Sequence, residues 1–151
     1  MVKRLKLQKL WNLVSENEQR FFESTAPTEQ QFVNATWRIE TLHLLLWSLN
    51  TVETDASLSE MCSVEDVQAV FDFFLSDSGN FIKSSELRLV DEIDSYNEQI
   101  YQAHWKVRDA QINGKAIPDK LMPSVIKERH YAINWLTGYC GQEWDDVTTD
   151  T

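Results

Sequence analysis

Residues 126–146 read IKERHYAINWLTGYCGQEWDD, which places two tryptophans, two tyrosines and an Arg/Glu/His group in one predicted helix and its exit. Pro123 suits the first turn of this helix, where a missing N–H group costs little, and Gly138 or Gly141 suits its end. Between them one stripe recurs at helical spacing: Val125, Arg129, Ile133, Leu136 and Cys140. The stripe predicts a core helix, with Cys140 as an inert core thiol.

Arg129 places a guanidinium on this apolar stripe, where an unpaired buried charge is strongly unfavourable. A second helix is predicted over residues 29–50, and its apolar stripe carries a single charge, Glu40. We therefore expect Glu40 and Arg129 to pair between two helices, and Arg108 and Asp109 are candidates to join them. Such a cluster either fixes how the helices pack or forms a functional site, because perturbed ionisable groups also mark sites.

The full set predicted for this buried polar cluster is Glu40, Arg108, Asp109, Glu128, Arg129 and His130. The cluster lacks a recognisable catalytic pattern. Glu40 and His43 form one E-x-x-H pair, whereas di-iron helical bundles use that pair twice. Cys140 near His104 or His130 could serve as a nucleophile, but its place on an apolar stripe argues against this role. We therefore predict no catalytic residue, no metal ligand and no cofactor.

The net charge of −10 is concentrated in the middle of the chain. Residues 1–52 hold six bases and five acids, and residues 99–151 hold six bases and seven acids, whereas residues 53–98 hold twelve acids and two bases. This imbalance argues against direct nucleic-acid binding by the middle third and allows steering toward a basic protein. The alternative is a solvated face without a partner. The predicted acidic face consists of Asp66, Asp72, Asp77, Asp91, Glu92, Asp94 and Glu98.

The length of 151 residues predicts one domain, 1–151, with enough large side chains to build its own core. Two cysteines form neither a disulfide framework nor a metal pair, which favours a cytoplasmic location. No apolar run is long enough for a signal peptide or a membrane span, so we expect a soluble protein without membrane contact. Residues 145–151 are predicted to form an acidic tail.

Apolar periodicity predicts an all-α bundle of about five helices and no strands. The N-terminal helix lies within residues 1–14 and is expected to be peripheral. The cap pattern at Ser15 predicts a new helix or a continuation of the first, and the patterns at Thr28 and Ser63 predict new helix starts. Residues 50–62 read as a polar connection and residues 77–80 as a turn. One long helix is predicted over residues 85–113, with a buried seam of Val90, Ile93, Asn97, Ile100, His104, Val107 and Gln111, flanked by Leu89 and Tyr96.

Several motifs carry a resemblance to a known family: WRIE at 37–40, LLWSL at 45–49, HWKVRDA at 104–110, ERHYAINWL at 128–136 and WDD at 144–146. In order and approximate spacing, these motifs resemble the bacterial domain-of-unknown-function family 4272 over roughly residues 21–146. The N-terminal part looks shorter than the family pattern, and the acidic middle matches no family motif. The resemblance implies a helical bacterial protein and no established activity. Trp144 is expected to fold back onto the bundle.

Three functions are compatible with these features. The first is a non-enzymatic binding protein, such as a small inhibitor or immunity-type protein, whose acidic face holds a basic partner. The second is an enzyme of unknown class that uses the buried Arg/Glu/His cluster. The third is a self-associating structural domain. The one-sided charge and the missing catalytic pattern favour the first.

Overall fold

The protein was studied as a computed structural model that describes residues 2–53 and 58–151, apart from the side chain of Asp119. Within these ranges every regular element is helical and no strand occurs. The all-α prediction is confirmed, but the count of about five is wrong, since the described chain forms seven α-helices. They are α1 Val2–Leu7, α2 Glu16–Glu23, α3 Glu29–Ser48, α4 Val64–Ser76, α5 Ser78–Ser84, α6 Val90–Ile112 and α7 Pro123–Thr137.

The predicted helix starts at the cap patterns are confirmed. Ser15 and Thr28 each form a reciprocal capping box, with Glu18 and Gln31 respectively. The Ser63 hydroxyl accepts the N–H of Asp66 at the start of α4. These side chains satisfy N–H groups that lack partners within the first turn of a helix.

Helix α7 lies at the centre of the fold, packed against α3 and α6. Its residues Val125, Ile126, Ala132 and Ile133 have no exposed surface. Trp47 of α3 meets Tyr96 of α6 edge to face, with ring centroids 4.8 Å apart. The buried faces of these three helices form the main hydrophobic core, to which Leu58, Val67 and Phe81 also belong.

The N-terminal segment is more broken than its pattern predicted. Helix α1 ends at Leu7, and the residues that follow form a short 3₁₀ turn, Trp11–Leu13, instead of a continuous helix to residue 14. Leu7 and Leu13 are largely exposed, so the apolar stripe in this segment does not become a core face. The predicted polar connection 50–62 includes residues 54–57, which lie outside the described residues.

The predicted turn at residues 77–80 is instead the start of α5. The side chain of Asp77 accepts the N–H of Asn80, which caps the new helix immediately after α4 ends. The same Asp, Ser and Asn residues that favour turns also favour helix caps, and here the cap forms. This extra helix contributes Phe81 to the core.

The long helix α6 begins at Val90, five residues later than predicted. Leu87, Leu89 and Val90 are 61%, 71% and 70% exposed, so Leu89 and Val90 do not belong to the buried seam. Arg88 explains this orientation. Its Nε donates to the Trp47 carbonyl at 2.7 Å and its backbone N–H to the Ser48 carbonyl at 2.8 Å, which fixes the segment against the end of α3. Further along, Gln111 is also exposed.

The exit of α7 redirects the chain. Gly138 takes the left-handed conformation with φ of 70°, and Cys140 follows with φ of 54°. The helical stripe therefore ends before Cys140, which is exposed rather than a core thiol. In the predicted tail, Thr148 packs back onto α7, since Asn134 Nδ2 donates to its carbonyl at 2.8 Å. No helix in the described ranges is long and apolar enough to cross a bilayer.

Candidate functional site

The centre of the buried polar cluster is an ion pair between α3 and α7. Arg129 Nε and Nη2 both donate to Oε2 of Glu40, at 3.0 and 2.9 Å, and Nη1 donates to the Tyr96 hydroxyl at 2.9 Å. Glu40 is 0% exposed and Arg129 is 2% exposed. Burial alone would lower the pKa of Arg129, but Tyr96 and Glu40 raise it, so the guanidinium stays charged.

The second oxygen of Glu40 is also satisfied. Oε1 accepts the backbone N–H of Cys62 at 2.8 Å, which fastens the segment before α4 to α3. Burial and then the neighbouring Glu40 carboxylate raise the pKa of the Cys62 thiol to about 12. The thiol is therefore protonated near neutral pH and is a poor nucleophile.

A second polar group is formed by neighbours of the ion pair in the sequence, since Thr41 follows Glu40 and Glu128 precedes Arg129. Glu128 is half-buried and accepts from the Thr41 hydroxyl at 2.9 Å and from Arg38 Nη1 at 3.2 Å. The Arg38 guanidinium lies 4.0 Å from the ring centroid of Tyr131. This second pair links α3 to α7 at a more accessible position.

Trp144, which follows the end of α7, packs over this part of the bundle, as expected from the sequence. Its ring packs edge to face on Tyr131 and Trp135, each with a centroid distance of 5.1 Å. Its indole N–H donates to Glu18 Oε1 at 3.2 Å, and its carbonyl accepts the Tyr131 hydroxyl. The exit of α7 is thereby fastened to α2 as well.

His104 of α6 and His130 of α7 form a direct pair inside the bundle, with their Nδ1 atoms 2.7 Å apart. One Nδ1 must carry the proton and the other must accept it. Burial, then Arg108 and Lys127, lower the pKa of His104, and burial and then His104 lower the pKa of His130 to about 4. The pair is therefore neutral at pH 7.

The remaining two members predicted for the cluster lie elsewhere. Arg108 is exposed on α6. Asp109 forms an ion pair with Lys115 at 3.2 Å and accepts from Asn113 at the end of the same helix. The structure thus brings Glu40 and Arg129 together, places Glu128 and His130 beside them in separate pairs, and leaves Arg108 and Asp109 outside.

The interior also holds polar side chains that were not in the predicted cluster, among them Tyr96, His104 and His43. Tyr96 has a helical core position that signals burial but does not reveal its bond to Arg129. His104 was placed on the α6 seam, yet its contact with His130 depends on how two helices cross. His43 is 4% exposed, its Nε2 lies 3.1 Å from the Glu53 carbonyl, and its Nδ1 has no hydrogen-bond partner among the described residues.

The seven residues of the predicted acidic face are all exposed, on α4, at the junction of α4 and α5, and on α6. Asp91, Asp94 and Glu98 recur at helical spacing, which puts them on one side of α6. Glu92 approaches Arg88 at 3.8 Å, and Asp72 accepts from Gln68. The sequence did not reveal that three large apolar side chains, Leu87, Leu89 and Val90, are exposed immediately before these acids.

In the described residues, no group of three or more His, Cys, Asp and Glu side chains is placed to hold a metal ion. A family model with the description Domain of unknown function (DUF4272) matches residues 1–147. The match confirms the resemblance to this family and also includes the first twenty residues, which the resemblance over roughly residues 21–146 had left out. No curated protein and no solved structure was found to match the chain.

Proposed function

This chain belongs to the DUF4272 family, described as a domain of unknown function, and we propose that it is a non-enzymatic binding protein for a basic protein partner. Its role would be that of a small inhibitor or immunity-type protein. The interaction surface consists of the exposed residues of segment 87–94 together with the acidic residues on α4 and α6.

The observation that carries this proposal is that segment 87–94 exposes large apolar side chains next to acidic ones. Leu87, Leu89 and Val90 are each more than half exposed, and Asp91 and Asp94 follow them within one helical turn. An exposed apolar group rimmed by charge is typical of a protein-binding surface. The acidic rim favours a partner whose matching surface is basic.

A cavity of about 690 Å³ lies close to this segment along the chain. Phe73, Phe81 and Val70 are among its apolar lining residues, and Glu86 also lines it. A pocket beside an exposed apolar segment suits the insertion of an anchoring side chain from a partner. The cavity therefore supports an interface that combines apolar contact with acidic charge.

The burial of the Glu40–Arg129 pair argues against the alternative of an enzyme built on this cluster. A catalytic group must reach substrate, yet both side chains are almost completely enclosed. Both oxygens of Glu40 are also occupied, by Arg129 and by Cys62. The cluster therefore suits a role in fixing how α3, α6 and α7 pack.

The experiment that tests the proposal is a pull-down with the tagged full chain from its native host at about 50 mM and about 200 mM salt, over which surface electrostatics weaken. We expect mass spectrometry to identify a stoichiometric basic protein whose retention falls at the higher salt. A variant with Leu87→Ser and Leu89→Ser serves as the companion bait. Retention of the same protein at equal level by this bait would contradict the proposed surface, and a bait without any stoichiometric protein would contradict the function.

A further inference from the structure

A second cavity, of about 440 Å³, lies where α6, the first turn of α7 and residues 149–151 meet. Its lining residues all belong to the last third of the chain, away from the acidic middle. The volume falls within the range of roughly 300 to 1,000 Å³ that is usual for small-molecule sites. The cavity is therefore large enough for a small ligand.

The N-terminus of α7 opens into this cavity without a cap. Met122 makes no side-chain cap hydrogen bond, and Pro123 has no N–H group. Among the described residues, no acceptor binds the N–H of Ser124, which lines the cavity. The first turn of a fifteen-residue helix carries partial positive charge, and an uncapped N–H there favours an anion.

Two cationic side chains line the same cavity. Arg108 comes from α6, one turn after His104, and Lys127 comes from α7, one turn after Pro123. Neither pairs with a carboxylate within the parts of the chain that the structure describes. Both lie near enough to His104 to lower the pKa of its imidazole, after the larger effect of burial.

His104 supplies a further candidate donor to a ligand in this cavity. Its side chain lines the cavity although the residue is only 6% exposed. Its Nδ1 is occupied by His130, and its Nε2 has no hydrogen-bond partner among the described residues. Nε2 is not among the buried atoms that lack a partner, so it is accessible from the cavity and can pair with an acceptor bound there.

One acidic side chain opposes these groups. Asp150 also lines the cavity, and its Oδ2 accepts from the Thr148 hydroxyl at 2.9 Å. The two cations outnumber it, so the charges of the lining side chains sum to about +1 with His104 neutral. Asp150 is therefore expected to weaken anion binding without abolishing it.

We propose that this cavity binds a phosphate group, either as free phosphate or as the phosphate monoester of a small molecule. The donors are the Ser124 N–H, the Arg108 guanidinium, the Lys127 ammonium and the Nε2–H of His104. Guanidinium and ammonium groups together with a helix N-terminus are a donor set that matches a dianion with several acceptor oxygens.

Binding of this kind selects one arrangement of the histidine pair. An oxygen at Nε2 requires His104 to carry its proton there, so that its Nδ1 accepts the proton of His130 Nδ1. The ¹⁵N chemical shifts of the His104 and His130 imidazoles then report whether the cavity is occupied. This readout does not depend on any catalytic activity.

The test is an NMR titration of the full-length ¹⁵N-labelled chain with inorganic phosphate and, separately, with glycerol 3-phosphate, at constant ionic strength. We expect saturable shifts at the Ser124 amide and at the His104 imidazole. Tighter binding of glycerol 3-phosphate would assign the site to phosphate monoesters, and equal or tighter binding of inorganic phosphate would assign it to free phosphate. Shifts that grow linearly without saturation for both probes would overturn the proposal.

Three variants test which groups bind. Arg108→Gln and Lys127→Gln should each weaken binding about tenfold, a loss of about 1.4 kcal/mol, because each removes a charged donor. Asp150→Asn should strengthen it. Lys83→Gln, an exposed lysine of α5 with the same change in charge, should leave affinity unchanged. Affinities unchanged in Arg108→Gln and Lys127→Gln, with both variants folded, would overturn the proposal.

Discussion

The guanidinium of Arg129 is held by Glu40 and Tyr96 in the interior, so its removal leaves the Glu40 carboxylate as a buried charge. We expect Arg129→Met to lower the free energy of unfolding by about 3–5 kcal/mol, as breaking a buried pair does. Urea unfolding at pH 7.5 measures this loss. Glu40→Gln in the Arg129→Met background should restore part of it, because glutamine is neutral yet still offers an oxygen to the Cys62 N–H. A double variant no more stable than Arg129→Met would show that the stranded charge is not the cause.

The two cysteines differ in environment, which predicts a difference in reactivity. Cys140 is exposed, whereas Cys62 is partly buried and the pKa of its thiol is raised to about 12. We expect Ellman's reagent at pH 8 to titrate one thiol rapidly in the folded protein and both after unfolding. Cys140→Ser is the control, and it should abolish the rapid phase. Rapid modification of Cys62 in that variant would contradict the effect assigned to Glu40.

At the scale of elements, the crossing of α6 and α7 makes stability depend on pH through His130. The pKa of His130 is lowered from 6.5 to about 4 in the folded protein, so the unfolded chain takes up this proton first as pH falls. The full stability is present above pH 6.5 and is lost between pH 6.5 and pH 4. The linkage amounts to about 2 kcal/mol between pH 7.5 and pH 5.

His130→Gln isolates this contribution from that of the carboxylates, which both proteins share. We expect the difference in unfolding free energy between pH 7.5 and pH 5 to be about 2 kcal/mol smaller in the variant than in the native chain. Urea midpoints and slopes at the two pH values give this difference. An equal dependence on pH in both proteins would contradict the neutral histidine pair.

The elements that could be predicted from the sequence are those that short-range signals determine. Ser15, Thr28 and Ser63 start helices because each cap is made within three residues, and periodicity brought Glu40 and Arg129 onto core faces. The start of α6 was missed because contacts between Arg88 and the end of α3 turn Leu89 outward, and these contacts are not local. The exposure of Cys140 was missed because either Gly138 or Gly141 could end the helix. In the structure Gly138 takes the left-handed conformation and ends α7 before Cys140.

At the scale of the whole molecule, the position of the negative charge predicts how a partner would associate. Reversal to lysine at Asp91, Glu92 and Asp94 should slow association by about tenfold at low salt, because rim charges act mainly on the encounter rate. The effect should diminish at higher salt. Surface plasmon resonance with the retained partner measures both.

A control variant with lysine at Glu16, Glu29 and Glu143 carries the same change in net charge outside the middle third. It matches the test variant closely. Glu16 and Glu29 lie in first helical turns, as Asp91 and Glu92 do, and Glu16 approaches Arg20 at 3.8 Å as Glu92 approaches Arg88. Equal slowing by both variants would indicate that association depends on the net charge of the protein and not on the position of the acidic residues.

The attachment of Arg88 to α3 also bears on the entropy of binding. Hydrogen bonds to the Trp47 and Ser48 carbonyls and the contact with the Trp47 ring immobilise the backbone that presents Leu87 and Leu89. The conformational freedom of this segment is therefore lost during folding, before any partner arrives. A contact surface ordered in advance loses less entropy on association, so a modest apolar area can give a long-lived complex.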